Sequence, residues 1–120
     1  RIKPLRALLL FSFLSWLIFV ASSAPTLFQV FALIGTLQSA ALYLITLRWK
    51  ISGHGAGVAG FSVLLWGLYG AAAAPAFLFI PIVIWARVSL SRHDLAQTLA
   101  GSLLGGAAMF AALPALSAAL

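Results

Sequence analysis

Apolar residues fill whole runs of this chain; they neither alternate nor form a narrow stripe. The runs are roughly Leu5–Ala21, Leu27–Leu47, Gly55–Ala72, Ala76–Leu90 and Leu95–Leu116. A bilayer core about 30 Å thick takes about 20 helical residues. The pattern therefore predicts an all-α, polytopic transmembrane helical bundle with five spans visible. The first, third and fourth runs are short and need bilayer thinning, small tilt or neighbouring helices. Membrane strands would alternate apolar and polar residues, which these runs do not. Turn chemistry marks the breaks: Ser22-Ser23-Ala24-Pro25-Thr26, Arg48 to Gly53, Gly70 to Pro75, and Ser89-Leu90-Ser91-Arg92-His93. Pro81, inside the fourth run, predicts a kink there.

Composition narrows the class. Of 120 residues, 64% are apolar and 7% charged, and the mean hydropathy is +1.17. Soluble domains carry about 25% charged residues, so a soluble domain is excluded. Disordered chains are polar and poor in aromatics, whereas this one has nine Phe, four Trp and two Tyr. No Cys is present, which removes disulfides, thiolate metal sites and thiol nucleophiles. One acidic residue against seven Lys or Arg gives a net charge of +6 and excludes paired-carboxylate chemistry. Basic nucleic-acid binders are polar on the binding face. These cations instead suit loops, anionic headgroups or a phosphate, and no nucleic-acid partner, metal or cofactor is expected.

The chain begins Arg1-Ile2-Lys3-Pro4, and its only Met is Met109. This reads as residues 1–120 forming a single transmembrane helical domain, the C-terminal part of a six- or seven-span protein. The first run also has features of a secretory signal: a basic start, the apolar stretch Ala7–Val20 and Ala21-Ser22-Ser23-Ala24 as a cleavage-like site. The four apolar runs that follow favour a span.

Counting crossings places the charges. Each pair of spans returns the chain to one side. Arg1, Lys3, Arg6, Arg48, Lys50, His54, Arg87, Arg92, His93 and Asp94 then share one membrane face. The opposite loops, Ala21–Thr26 and Gly70–Pro75, are uncharged. The positive-inside rule explains scattered Lys and Arg. It does not explain two His, one Asp and Arg87 at helix ends, where ionisable groups point to a site.

Two groups carry candidate chemistry. In Lys50-Ile51-Ser52-Gly53-His54, Ser52 suits an N-cap, and Gly53 lets a ligand approach the backbone. The free N–H groups of that first turn suit an anion, with Lys50 as added charge and His54 as proton donor. The same residues also read as a capped helix start with a headgroup-facing Lys. In Arg87-x5-His93-x3-Gln97, Arg87 offers a phosphate-matching fork. Gln97, on the face of His93, could accept its Nδ1–H and free Nε2 as a nucleophile. A snorkelling Arg and a polar helix start would produce the same pattern.

Taken together, the two groups resemble the second and third motifs of the type 2 phosphatidic acid phosphatase superfamily. That family reads P-S-G-H and then S-R-x5-H-x3-D. Ser52-Gly53-His54 matches with Ile51 in the Pro place. Arg87-x5-His93 matches in spacing, with Ala86 for Ser and Gln97 for Asp. The first motif, K-x6-R-P, is absent; Lys3-Pro4 could be the tail of a degenerate copy. The resemblance covers the second half of the chain by motif and the first half by topology.

The resemblance implies a metal-independent lipid phosphate phosphatase. It hydrolyses a phosphomonoester or pyrophosphate through a phosphohistidine on His93, with His54 protonating the leaving oxygen and Gln97 orienting His93. Lys50, Ser52, Gly53 and Arg87 would hold the phosphoryl oxygens. The expected partners are a lipid phosphate, the membrane, and a homo-oligomer or larger membrane complex. The expected location is the bacterial inner (plasma) membrane. The alternative is a catalytically weak or inactive phosphatase-like structural subunit of a larger complex. Helix packing through Gly53, Gly57 and Gly60 against Gly101 and Gly105 is also expected. Gln29 and Gln38 are expected to bond to neighbours.

Overall fold

The computed structural model describes residues 2–120. The elements are α1 (Ile2–Ala21), α2 (Thr26–Thr46), α3 (Gly53–Tyr69), a 3₁₀ segment (Gly70–Leu78), α4 (Phe79–Ser89) and α5 (Leu95–Ala119). The chain divides into two compact units, Arg1–Trp49 with Pro114–Leu120, and Lys50–Leu113.

In the first unit α1 and α2 form an antiparallel hairpin. The Phe19 and Phe28 rings lie 5.9 Å apart. The Ser12 hydroxyl lies 3.8 Å from where a Cβ on Gly35 would sit. Both pairs of numbers sum to 47, so one register holds along the hairpin and sets Lys3 and Arg6 level with the end of α2. The turn is a Schellman closure. Ser23 takes a left-handed φ of 54°. The Ser23 and Ala24 N–H groups then donate to the Val20 and Phe19 carbonyls at 3.2 and 2.9 Å. Pro25, with φ fixed at −50°, opens α2, and Gln29 Nε2 donates back to the Ala24 carbonyl at 2.7 Å.

In the second unit α3 and α5 run parallel. Ser52 lies beside Gly101, Ala56 beside Gly105, and Leu113 beside Gly67. The two backbones touch: a Cβ on Gly101 would collide with the Ser52 carbonyl, and one on Gly105 with the Ala56 carbonyl. Gly60 lies on the same seam, against Gly105 and Met109. The sequence assignment of the seam is corrected in part. Gly53 and Gly57 face open space, and the small residues of α3 in contact are Ser52, Gly55, Ala56 and Gly60.

Two parallel helices require a connection that returns. Gly53–Ser89 is one unbroken helical stretch of 37 residues, which as a straight α-helix would be about 55 Å long. Its two ends nevertheless meet, because His93 bonds to Lys50 and Ser52 to Gln97. The reversal begins at Gly70, whose φ of 66° and ψ of −142° are open almost only to glycine. Ser62 Oγ donates to the carbonyls of Val58 (2.8 Å) and Ala76 (3.2 Å), pinning the returning strand of chain to α3. Pro75 lies within the 3₁₀ segment and Pro81 in the first turn of α4, so neither supplies an N–H.

Among the described residues the five expected spans become four continuous apolar helical stretches, the third and fourth runs being joined in one. Ile2–Ala21, Thr26–Thr46, Gly53–Ser89 and Leu95–Ala119 are long and apolar enough to cross a membrane. α4 alone has 11 residues, about 17 Å of helix, roughly half a hydrocarbon core. Large apolar side chains point outward on all of these segments: Phe11 and Trp85 are each 71% exposed and Leu103 is 73% exposed. Such surfaces fit lipid rather than water.

Candidate functional site

Every candidate residue of the second and third motifs falls in Lys50–Leu113, where the start of α3 meets the α4–α5 turn. Ser52 caps α3 as expected: its Oγ accepts from the Gly55 N–H at 3.0 Å. Ser52 is fully buried beneath α5, so its hydroxyl serves the helix start. Gly53 and His54 are exposed, and the space around Gly53 is open.

The five-residue gap between Arg87 and His93 is a second Schellman turn. Ser91 takes a left-handed φ of 55°. The Ser91 N–H donates to the Val88 carbonyl, and the Arg92 N–H to the Arg87 carbonyl, both at 3.0 Å. The His93 N–H reaches the same Arg87 carbonyl at 3.4 Å. The turn therefore holds His93 directly over the end of α4.

The imidazole of His93 is oriented by backbone. Its Nδ1 lies 3.1 Å from the Lys50 carbonyl oxygen. A carbonyl only accepts, so Nδ1 carries the proton and Nε2 presents a lone pair. The expectation that Gln97 takes this proton is corrected. Gln97 Oε1 accepts from the Asp94 N–H at 3.1 Å, and Asp94 Oδ1 accepts from the Gln97 N–H at 2.8 Å. Asp94 and Gln97 form a reciprocal capping box at the start of α5. The Gln97 carbonyl accepts from the Ser52 N–H at 3.2 Å, a second tie between the two segments. Thr98, fully buried, donates its hydroxyl to the Asp94 and Leu95 carbonyls.

Electrostatics favour a neutral ring. Burial holds the His93 pKa below the usual imidazole value, and the positive charges of Lys50 and Arg87 push the same way. The bond to the Lys50 carbonyl opposes them, as does, least, the Gln97 side chain. The Arg87 guanidinium lies within electrostatic reach of both His54 and His93. Its Nε is buried with no hydrogen-bond partner among the described residues. A buried guanidinium N–H without an acceptor is costly, and an anion at this point would supply one.

Lys50, Ser52, His93 and Gln97 are thus joined by direct hydrogen bonds, and Arg87 by its carbonyl and its charge. Among the described residues no three His, Cys, Asp or Glu side chains group to hold a metal. Arg1 lies outside the described residues, and Lys3 and Pro4, where the tail of the first motif was expected, lie in the other unit. Sequence reasoning missed the capping box, although Asp94-x-x-Gln97 carries its signature. It also missed the Lys50 carbonyl, for which no side-chain signal exists. No protein-family model, curated protein or solved structure matches the chain.

Proposed function

We propose that the chain is a membrane-embedded lipid phosphate phosphatase that works without a metal, placed in the bacterial inner (plasma) membrane. One observation carries the reading: the His93 ring is held through Nδ1 on the Lys50 carbonyl, which leaves Nε2 free, in a setting that favours the neutral form. A neutral, oriented imidazole beside two cations suits in-line attack on phosphorus. In this reading Nε2 of His93 forms the N–P bond as the P–O bond to the lipid breaks. His54, exposed at the open start of α3, gives its proton to the leaving oxygen. It then takes a proton from the water that hydrolyses the phosphohistidine. Lys50, Arg87 and the Gly53 N–H hold the phosphoryl oxygens. Ser52 acts through the cap that fixes this turn, and Gln97 through the capping box that fixes the start of α5.

The test is phosphate release from vesicles carrying phosphatidic acid, phosphatidylglycerol phosphate or a polyprenyl phosphate. It is paired with acid quenching to trap an acid-labile phosphoprotein. Turnover and the trapped phosphate should both vanish in His93→Ala. Release undiminished in His93→Ala would remove the mechanism. No release from any of these lipids would favour the second reading, a phosphatase-like structural subunit of a larger membrane complex. One observation supports that alternative: Asp94, the sole carboxylate side chain, is engaged in capping α5.

A further inference from the structure

Ser52 is held from both helices of the Lys50–Leu113 unit. Its N–H donates to the Gln97 carbonyl at 3.2 Å, and its own carbonyl accepts from the Ala56 N–H at 3.1 Å. Its Oγ accepts from the Gly55 N–H. Gly101 follows Gln97 by four residues, so the two share one side of α5, a turn apart. The Ser52 carbonyl fills the place where a Cβ on Gly101 would stand. The Ser52 main chain therefore reaches the Gln97 carbonyl only because residue 101 has no side chain. Gly55 repeats the arrangement from the other helix: a Cβ there would lie 2.9 Å from the Thr98 carbonyl and 3.1 Å from Ser102 Oγ. Both glycines let the first turn of α3 settle onto the first two turns of α5.

The effect reaches His93 through a short piece of chain. Lys50 precedes Ser52 by two positions, a link of at most about 7 Å. Ile51 between them is only 5% exposed, which leaves that link little freedom. The Lys50 carbonyl, which accepts from His93 Nδ1 at 3.1 Å, is thus placed by where Ser52 sits. Such a bond weakens within a few tenths of an ångström beyond about 3.2 Å, less than the displacement a methyl group at residue 101 would force. A neutral imidazole freed from this acceptor divides its proton between the two nitrogens. A proton on Nε2 removes the lone pair that attack needs.

We propose that Gly101 is a positioning residue for His93: by admitting the Ser52 main chain against α5, it seats the Lys50 carbonyl on Nδ1 and so keeps Nε2 unprotonated. The role rests on His93 being the group that attacks phosphorus, as proposed above, whereas the seat of the ring proton is measurable without turnover. An inactive wild type with the proton on Nδ1 therefore counts against the phosphatase reading and not against this placement.

The experiment reads the ring directly. In the full chain, 15N-labelled at histidine and held in lipid bilayers at about pH 8, a ring of lowered pKa is neutral. Its protonated and unprotonated nitrogens give separate 15N resonances, and those of His93 are the ones lost in His93→Ala. Wild type should carry the proton on Nδ1. Gly101→Ala should lower the ratio of Nδ1–H to Nε2–H about two- to tenfold, as expected for one lost hydrogen bond, and phosphate release should fall with it. Gly55→Ala crowds the same turn more mildly and should shift the ratio the same way by less; it decides the matter if Gly101→Ala loses its helix content by circular dichroism. Gly67→Ala crowds the far end of the same seam, against the Leu113 side chain, about 20 Å along α3 from Gly53, and should leave the ratio unchanged. A wild-type ring protonated on Nε2, an unchanged ratio in folded Gly101→Ala (or in Gly55→Ala where Gly101→Ala does not fold), or an equal shift in Gly67→Ala would each overturn the proposal.

Discussion

The α1–α2 pair and the α3–α5 pair both bring two apolar helices together, but with residues of opposite size. Between α1 and α2 the contact runs through large rings, Phe19 on Phe28, and a Cβ on the one glycine of that line would meet the Ser12 hydroxyl at an ordinary contact of 3.8 Å. Between α3 and α5 the glycines touch backbone. Bulky contacts adjust by rotamer. Backbone contacts cannot, because a carbonyl fixed in a helix has no soft torsion to yield. The adjustable pair carries none of the residues of the second and third motifs, whereas the rigid pair carries Gly53, His54 and Gln97 and is flanked by the segments with Lys50, Ser52 and His93. That arrangement suits a site that must be held within fractions of an ångström.

The sharpest break in this comparison is chemical. On the proposed mechanism His93→Ala lowers phosphate release by a hundredfold or more, roughly 3 kcal/mol of barrier. Phe19→Leu in the other pair leaves release within about twofold. A loss of the same size from Phe19→Leu would show that the two regions are not separable in function.

The next effect is on stability. Gly105→Ala forces a methyl into the Ala56 carbonyl and should cost on the order of 2–4 kcal/mol, read as a fall in thermal midpoint in mild detergent. A smaller loss follows from Ser52→Ala, which removes the cap of α3 and should cost about 1 kcal/mol. If Ser52→Ala instead destroys activity with the midpoint unchanged, Ser52 touches the substrate and its capping role is secondary.

Acidity produces a gentler effect. The folded-state pKa of His93 lies below its unfolded value, so between the two the unfolded chain binds more protons. Stability from this group is full above about pH 6.5 and is lost as pH falls through the lower, folded value. A pH titration of the midpoint should show that acid loss in wild type and a weaker one in His93→Gln. The smallest expected change is Gly35→Ala. Its methyl meets ordinary contact, and alanine gains up to about 1 kcal/mol of helix propensity over glycine. The midpoint should hold or rise. A fall comparable to that of Gly105→Ala would erase the distinction between the pairs.

Much of this was readable from residue order. The continuous apolar runs place α1, α2 and α5 to within a few residues, because a span is defined by length and hydropathy. Ser52 before Gly53 announced its cap. The third and fourth runs were read as separate helices and are one continuous helical stretch that folds back, because hydropathy does not register the tighter winding that joins them at Gly70, Pro75 and Pro81. Gly53 and Gly57 were chosen for the seam over Gly55 and Ala56 because composition alone does not fix which face of α3 meets α5. At the candidate site, side-chain spacing brought forward His54, Arg87 and His93. It offered Gln97 as the orienting group because a main-chain carbonyl from 43 residues away leaves no mark in the sequence.

The folded-back stretch also bears on how the chain enters the bilayer. α4 is too short to be recognised as a span by an insertion machinery that weighs windows of about 19 residues. The nine 3₁₀ residues before it include Pro75 and make a poor helix on their own. α3, complete at Tyr69 with 17 residues, comes closest to such a window on its own. The return arm therefore enters with α3 as one hairpin, after both halves have been synthesised and Ser62 can reach the Ala76 carbonyl. A glycosylation acceptor inserted between Ala71 and Ala74 would time that passage. It should stay unmodified until synthesis has passed Ser89, and then report which side of the membrane the turn has reached.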